Sequence, residues 1–280
     1  MHISLVLLAA AAASSPAPAQ VADKSGYSLA NPTPREALRD LSTDRPDKTE
    51  SPYTVDAGRV QVELDFVNFT RDRDRGSRAQ TLSLLPVNFK LGITNSTDLQ
   101  LLFDPRVRQR VKDRATGRSD SVTGVGDLTL RLKHNLWGND GGGTALAVMP
   151  VVKLPTASNG IGNDAVEFGL IVPLAIAVSD RVGIGLMSEV DLLEQADGSG
   201  YAPSFIHSAT VSFALGERLG VYSELFAERS TERGARWIVT ADAGLTYRLS
   251  DDLQLDGGVN LGLTRAADDL QLFVGVSRRF

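Results

Sequence analysis

Charged side chains repeated at every second position are the chemically most informative residues of this sequence. Because successive side chains of a strand point to opposite sides, each such run would lie on one face of a sheet. Cations that face carboxylates across a passage would create a field that selects solutes by charge and dipole. The candidates for this constriction are Arg71, Arg73, Arg75, Arg106, Arg108, Arg110, Lys112, Glu167, Glu189, Asp191, Glu224 and Glu228.

The basic runs also have a simpler interpretation. Charged loops are ordinarily solvated, and cations exposed on them could bind the phosphates of lipopolysaccharide. Replacing Arg106, Arg108 and Arg110 with serine would separate the two interpretations, because only a constriction makes ion selectivity depend on these side chains.

Catalysis, metal binding and nucleic-acid binding are disfavoured by the composition. The sequence has no cysteine, which removes disulfides, thiolate catalysis and cysteine-ligated zinc. His134 and His207 have no evident partner in a serine–histidine or aspartate–histidine arrangement. The net charge of −5 comes without a nucleic-acid-binding motif. We therefore expect no enzyme, no cofactor, no metal site and no nucleic-acid partner.

Twelve segments of alternating hydrophobicity must position the charged residues. In the clearest of them, Trp237 and Leu245 share one parity, whereas Thr240 and Asp242 share the other. This pattern predicts an all-β fold, a closed antiparallel transmembrane β-barrel of the outer-membrane type with about 12 strands. The predicted strands are 60–70, 80–93, 98–106, 122–136, 143–154, 164–178, 181–193, 203–215, 219–228, 235–249, 252–263 and 268–280.

The connections between these segments alternate between short turns and longer polar loops. Barrels of this class have short turns in the periplasm and long loops outside, so both termini are predicted to be periplasmic. Aromatic residues of the lipid-facing parity support the same fold, because they fall near both ends of the strands, as at two membrane interfaces. A soluble β-sandwich, the alternative, explains neither feature. The aromatic residues are Phe103, Phe168, Phe205 and Trp237 at one end and Phe89, Tyr247 and Phe280 at the other.

A proline marks an irregularity in the second predicted strand. The apolar parity changes at Pro86, from Leu82 and Leu84 before it to Val87 and Phe89 after it. Proline cannot donate to a sheet ladder, and such a slip is what a β-bulge produces. We therefore predict a bulge at this position.

The chain divides into three parts. Residues 1–19 combine an apolar stretch with a small-residue ending, which is typical of a signal peptide cleaved after Ala19 and predicts export. Residues 20–58 are rich in Pro, Ser, Thr and charge and are predicted to form a periplasmic N-terminal segment. Residues 59–280 are predicted to form the barrel.

A distinctive motif precedes the first strand. It reads Ser42-Thr43-Asp44-Arg45-Pro46-Asp47-Lys48-Thr49-Glu50-Ser51-Pro52-Tyr53-Thr54-Val55, with Gly58 and Gln61-Val62-Glu63 after it. It resembles the opening motif of a family of outer-membrane transporters that are labelled as proteins of the meta-cleavage pathway of phenol degradation. The resemblance extends over residues 42–280. It implies an outer-membrane barrel and the uptake of aromatic or other hydrophobic compounds.

The charges of the motif, Asp44, Arg45, Asp47 and Glu50, surround Pro46 and have two interpretations. In one, the segment is a plug or latch that folds into the barrel mouth. It would then form ion pairs with inward charges such as Arg131, Lys133 or Arg248. In the other, it is a periplasmic leader that positions the first strand for closure of the barrel.

The last residue, Phe280, follows a strand with Leu270, Leu272, Val274 and Val276 on one parity. This ending resembles the terminal-phenylalanine signal that the barrel-assembly machinery receives. The sequence thus predicts a channel for facilitated diffusion of a small-molecule solute, with membrane lipid, lipopolysaccharide and the assembly machinery as partners. The alternative function is a structural or adhesive barrel with a closed lumen and loops that bind lipopolysaccharide.

Overall fold

A computed structural model describes residues 23–73 and 76–280, which form a single closed antiparallel sheet. The expected signal peptide, 1–19, lies outside the described residues. A short 3-10 helix, Arg35–Ala37, precedes the strands. The strands are β1 (Val60–Arg73), β2 (Ser77–Leu84), β3 (Val87–Thr94), β4 (Thr97–Phe103), β5 (Arg106–Asp113), β6 (Ser119–Gly124), β7 (Leu128–Trp137), β8 (Thr144–Leu154), β9 (Glu167–Ser179), β10 (Val182–Glu194), β11 (Tyr201–Ala214), β12 (Leu219–Ser230), β13 (Ile238–Ser250), β14 (Leu253–Gly262) and β15 (Leu270–Arg279).

The sheet closes because β1 pairs with β15. A crossing is a stretch of chain that runs from one end of the barrel to the other. Three crossings are interrupted, and each of them consists of two strands: β2 and β3, β4 and β5, and β6 and β7. β1 runs alongside both strands of the next crossing, since its first half pairs with β3 and its second half pairs with β2. With each interrupted pair taken as one crossing, the barrel has 12 strands, as predicted. We call the end with the short connections the turn end and the opposite end the loop end.

The interruptions lie side by side across the part of the wall formed by β1–β7. Residues 85–86, 104–105 and 125–127 are level with an irregularity in β1 between Asp65 and Val67. The bulge predicted at Pro86 is confirmed, and Leu85 beside it has a φ of 58°. A shift of one residue moves all following side chains to the other face. We call this row of irregularities the bulge line.

The outer surface of the barrel is apolar, as a lipid-facing surface must be. The aromatic residues at both ends of the strands are exposed on it, from Phe168 and Trp237 at the loop end to Phe89 and Phe280 at the turn end. A soluble sandwich would bury such side chains between two sheets, whereas this chain has one closed sheet. The protein is therefore an integral barrel of the outer-membrane type. Among the described residues, no helix has the length and hydropathy to cross a membrane.

The region predicted as a loop over 107–121 is instead mostly strand. β5 and β6 form a hairpin that extends the wall beyond the bulge line. In the part of the chain that the structure describes, β6 pairs with β5 alone. The connection after β8 covers its free edge, where Asn159 Nδ2 donates to the Thr123 carbonyl at 2.8 Å and the Ser158 N–H donates to the Val125 carbonyl at 3.1 Å.

Candidate functional site

Residues 42–55, which we call the lumen segment, run inside the barrel. The chain comes from the turn end, contacts the middle of the wall at Lys48 and Thr49, and returns to the start of β1. The surrounding inward side chains are mostly polar, because the apolar residues alternate with them along each strand and face the lipid. These polar side chains are nevertheless buried. These side chains are Gln61, Glu63, Asp65, Lys90, Asp98, Gln100, Lys133, Asn135, Ser208, Glu224, Asp242 and Asp256.

Arg39 and Asp56 join the two ends of the lumen segment at the turn end. Arg39 Nη1 lies 3.5 Å from Asp56 Oδ1, and Arg39 Nε lies 2.8 Å from Asp140 Oδ1. Burial raises the pKa of Asp140, but hydrogen bonds from Arg39 and Asn95 outweigh it and lower the pKa below its usual value. Asp140 therefore stays ionised and holds Arg39 against the turn between β7 and β8.

Asp44 lies in the most buried charged cluster of the site. Its carboxylate is 2.5 Å from Lys133 Nζ and also pairs with Lys90, which in turn lies 2.5 Å from Glu63 Oε1. Gln100 Nε2 donates to Asp44 Oδ2 at 3.1 Å. Burial raises the pKa of Asp44, but the two ammonium groups hold it well below its usual value. Asp44 is therefore charged, and the cluster ties the lumen segment to β1, β3, β4 and β7.

Arg45 attaches the lumen segment to two further wall residues, one on β1 and one on β14. Arg45 Nη2 lies 2.5 Å from Asp65 Oδ1 and 2.7 Å from Asp256 Oδ1. Glu50, further along the segment, lies 2.6 Å from Arg131 Nη1. Each of these ion pairs joins a motif residue to an inward residue of the wall, so the motif is a docking sequence for the barrel interior.

The tip of the lumen segment contacts the opposite wall through both backbone and side-chain groups. Glu224 accepts hydrogen bonds from the N–H groups of Lys48 at 2.9 Å and Thr49 at 2.7 Å. Lys48 Nζ lies 3.2 Å from Asp242 Oδ2. Burial and the nearby Glu224 carboxylate raise the pKa of Asp47 to about 8. The tip thus holds one carboxyl group whose charge changes near neutral pH.

Two of the three inward cations that the sequence suggested as partners contact the lumen segment, namely Arg131 and Lys133. Arg248 forms no ion pair with it within the described residues. Arg248 instead lines a cavity of about 490 Å³ at the turn end, between the lumen segment and β9–β13. Arg218 and Tyr222 line the same cavity, which leaves room beside the segment.

The acidic candidates face the interior of the barrel. Glu189 lies directly opposite Ile171, whose side chain is fully buried on the inner wall. Glu167 lies 2.8 Å from Lys153 Nζ near the loop end. Except for Glu224, these carboxylates lie between the tip of the lumen segment and the loop end. The inward set is Glu167, Glu189, Asp191, Glu224 and Glu228.

The basic candidates lie on the outside of the barrel, contrary to the prediction. Arg71 lies opposite Leu270, and Arg108 lies opposite Leu82, both on the lipid-facing side of their strands. The bulge line explains the difference, because β1 shifts after Asp65 and the third crossing shifts at 104–105. These cations cannot face the carboxylates across the lumen. The outward set is Arg71, Arg73, Arg106, Arg108, Arg110 and Lys112, whereas Arg75 lies outside the described residues.

His134 and His207 face the lipid, and each has a hydroxyl partner that the sequence did not reveal. His134 Nδ1 lies 2.9 Å from Thr97 Oγ1, and His207 Nδ1 lies 3.1 Å from Ser188 Oγ. A polar side chain against lipid requires such a partner. The described residues contain no cluster of three or more side chains that could hold a metal ion.

Most wall partners of the lumen segment were missed at the level of sequence. Lys90, Asp65, Asp242 and Asp256 lie in four different strands, and only the closed barrel brings them to one segment. The signal that could have found them is a charged residue on the inward parity of a strand that is otherwise apolar.

A family model described as "Putative MetA-pathway of phenol degradation" matches residues 43–280. The chain belongs to this family. The match covers both the lumen segment and the barrel of this MetA-pathway family member, and the family expected from the motif is confirmed. No curated protein matches the chain.

Three similar solved structures are distant from this MetA-pathway family member in sequence. The NanC porin is 9% identical with a TM-score of 0.49, over 78% of this chain and 98% of its own. The translocator domain of the autotransporter NalP from Neisseria meningitidis is 12% identical with a TM-score of 0.48, over 79% and 88%. The CymD monoaromatic hydrocarbon channel is 10% identical with a TM-score of 0.45, over 79% and 87%.

Proposed function

We propose that the protein is an outer-membrane channel for the facilitated diffusion of a small molecule and that the lumen segment closes it. The observation that carries this proposal is the separate chain segment inside the barrel, beside a cavity of about 490 Å³. The smallest barrels fill their interior with the side chains of their own wall. A lumen that accommodates residues 42–55 would leave a passage at least one polypeptide wide when the segment moves.

We propose an aromatic or other hydrophobic compound as the solute. The family description refers to phenol degradation. The inner wall also carries an apolar cluster of Met149, Ile171, Met187 and Ile206, with Phe226 packed against it. Thioether and aromatic groups make favourable contacts with aromatic rings. The test is the uptake of labelled phenol, benzoate and fatty acid by cells with and without the protein. Uptake that the protein raises for none of the three would contradict this choice of solute.

The gating role of the lumen segment is testable with an engineered disulfide, because the chain has no cysteine of its own. Thr49 Oγ1 lies 2.6 Å from Ser208 Oγ on β11, so T49C/S208C would tie the tip to the wall. The matched control is S42C/S51C, whose hydroxyl oxygens are 2.9 Å apart and both lie in the segment.

We expect the oxidised T49C/S208C variant to conduct less than its reduced form in planar bilayers. The S42C/S51C control is expected to conduct equally in both forms, since its disulfide leaves the segment unattached to the wall. A T49C/S208C variant that forms its disulfide and conducts equally before and after reduction would contradict a gate formed by this segment.

A structural or adhesive barrel with a closed lumen is the second candidate, and two observations favour it. Buried ion pairs hold the lumen segment in place, and the basic residues lie outside, where they could contact lipopolysaccharide. Single-channel conductance separates the two functions. A closed barrel gives no conductance even when the disulfide variant is reduced.

We also propose that the turn end faces the periplasm, that residues 1–19 direct export and that the barrel-assembly machinery recognises Phe280. Both described ends of the chain lie at the turn end, where Lys24 pairs with Asp140 and the Phe280 N–H donates to the Val60 carbonyl. Protease added to intact cells should then cut the loop-end connections and leave the turn end protected. Cleavage of the turn-end connections instead would reverse the orientation.

A further inference from the structure

The outward cations, together with Arg78, form one basic patch on the loop-end parts of β1, β2 and β5, and β6 lies beside it as the fourth strand of this part of the wall. Arg73, Arg78 and Lys112 lie side by side across three neighbouring strands. In the next row towards the membrane, Arg71 and Arg110 flank a glutamine of β2. Neighbouring strands are about 4.8 Å apart, so these side chains lie within reach of one another.

Cations placed directly opposite one another destabilise a sheet unless an anion neutralises them. Within the described part of these four strands, no outward position beyond the bulge line carries Asp or Glu. The nearest carboxylate of an ion pair belongs to Asp269, 3.9 Å from Arg73 Nε, and both side chains are about half exposed. Among the described residues, Asp269 is therefore the one carboxylate paired with the basic patch, which points to an external anion with several charges.

The position of the patch selects the kind of anion. On the same outer face, Val67 and Leu84 lie level with Arg106, and Phe69 and Leu82 lie level with Arg108. Towards the turn end the outward residues are apolar. Arg106 and Arg108 thus lie beside apolar residues of the lipid-facing band. The other cations of the patch lie beyond these apolar residues towards the loop end, where the headgroups of the membrane begin.

We propose that the basic patch binds the phosphates of lipopolysaccharide in the outer leaflet. Arginine suits this ligand, because its planar guanidinium can donate two parallel hydrogen bonds to one phosphate. The inference rests on the outer-membrane location and on the proposed orientation, with the loop end outside, and is independent of whether the lumen conducts.

The test compares two triple variants of the full-length protein in binding to lipid A with both phosphates and to dephosphorylated lipid A. R106Q/R108Q/R110Q removes three charges from the patch. R233Q/R236Q/R265Q removes three exposed charges from loop-end connections elsewhere and serves as the matched control. We expect the patch variant to bind phosphorylated lipid A roughly 100-fold more weakly at low salt, and the control to bind as the unmodified protein does.

Three results would overturn the proposal: equal losses in both variants, no loss in the patch variant, or equally tight binding of dephosphorylated lipid A by the unmodified protein. Displacement of lipid A by low millimolar inorganic phosphate would identify a simple anion site instead. If the patch variant does not fold, the salt dependence of the unmodified protein decides. Binding that does not weaken with added salt contradicts phosphate recognition.

Discussion

The two parts of the barrel wall, β1–β7 and β8–β15, follow the same alternation of residues but differ in continuity. In β8–β15 each strand runs unbroken for 10–14 residues, so a side chain that faces the lumen at one end predicts the facing of all others on its parity. In β1–β7 the bulge line reverses that relation halfway along every crossing. Parity is therefore a local rule that holds only as far as the next bulge.

The lumen segment contacts the two parts of the wall in different ways. Against β1–β7 it uses the fully buried Asp44 cluster, whereas against β8–β15 it uses separate contacts, namely the Arg45–Asp256 and Lys48–Asp242 ion pairs and the hydrogen bonds from the tip backbone to Glu224. The side chain of Lys48 at the tip is still 28% exposed. We therefore expect the tip to leave the wall more easily than the Asp44 end.

The largest expected effect is that of Asp44→Ala, which would leave Lys90 and Lys133 buried without this partner. Losing one member of a buried ion pair costs about 3–5 kcal/mol, because the remaining charge is uncompensated. The free energy of unfolding in urea measures the loss. Asp40→Ala, which removes an exposed carboxylate of the same region, is the control and should stay within about 0.5 kcal/mol. Equal losses for Asp44→Ala and Asp40→Ala would mean that the Asp44 cluster is not the stronger of the two attachments of the lumen segment.

Gly92→Ala should have the next largest effect, because the returning end of the lumen segment passes directly over this residue of β3. A Cβ at position 92 would lie 2.0 Å from the Asp56 carbonyl oxygen, which is backbone and cannot turn away. We expect a loss of about 1–3 kcal/mol, as for other overpacked sites. Gly143→Ala is the control, since nothing lies within 4 Å of its Cβ. An unchanged unfolding free energy for Gly92→Ala would contradict the close approach.

The tip should respond to pH, whereas the Asp44 cluster should not respond near neutrality. The pKa of Asp47 is raised from 3.8 to about 8 in the docked state, so docking takes up a proton between these values. The stability of docking is therefore fully present below about pH 4, falls as the pH rises and is constant above about pH 8. We expect bilayer conductance to increase from pH 6 to pH 9.

The control for this pH dependence is Asp47→Asn, which cannot ionise. Its conductance should vary less between pH 6 and pH 9 than that of the unmodified protein. The same variation in both proteins would mean that another group controls the tip.

The smallest effect on the free energy of unfolding is expected for a substitution of Arg248 in β13, and Arg131 in β7 provides the comparison. Arg248→Gln removes no ion pair to the lumen segment, so we expect a change within about 0.5 kcal/mol. Arg131→Gln leaves Glu50 without its cation and should cost about 1–3 kcal/mol. Unfolding in urea measures both. A larger loss for Arg248→Gln would show that the turn-end cavity contributes to docking.

The fold could be predicted from the sequence because alternation, turn lengths and aromatic positions all indicate the same barrel. The bulge at Pro86 was detectable, since apolar residues on both sides reveal the slip. The shift at 104–105 was not, because Arg106 and the cations after it look like inward residues when polarity alone assigns the face. Glu167 and Asp191 were assigned correctly because the pairing of β9 with β10 is regular from Gly183 to Leu192, and its shift lies at the start of β10, between Val182 and Gly183.

The covered edge of β6 has a consequence for how copies of this protein coexist in a membrane. An uncovered strand edge invites pairing with the backbone of another chain. Ser158 and Asn159 occupy the carbonyls of Val125 and Thr123 where β6 ends, so a neighbouring copy cannot pair with these two groups. The connection after β8 thus acts as a guard against edge-to-edge aggregation in a crowded bilayer.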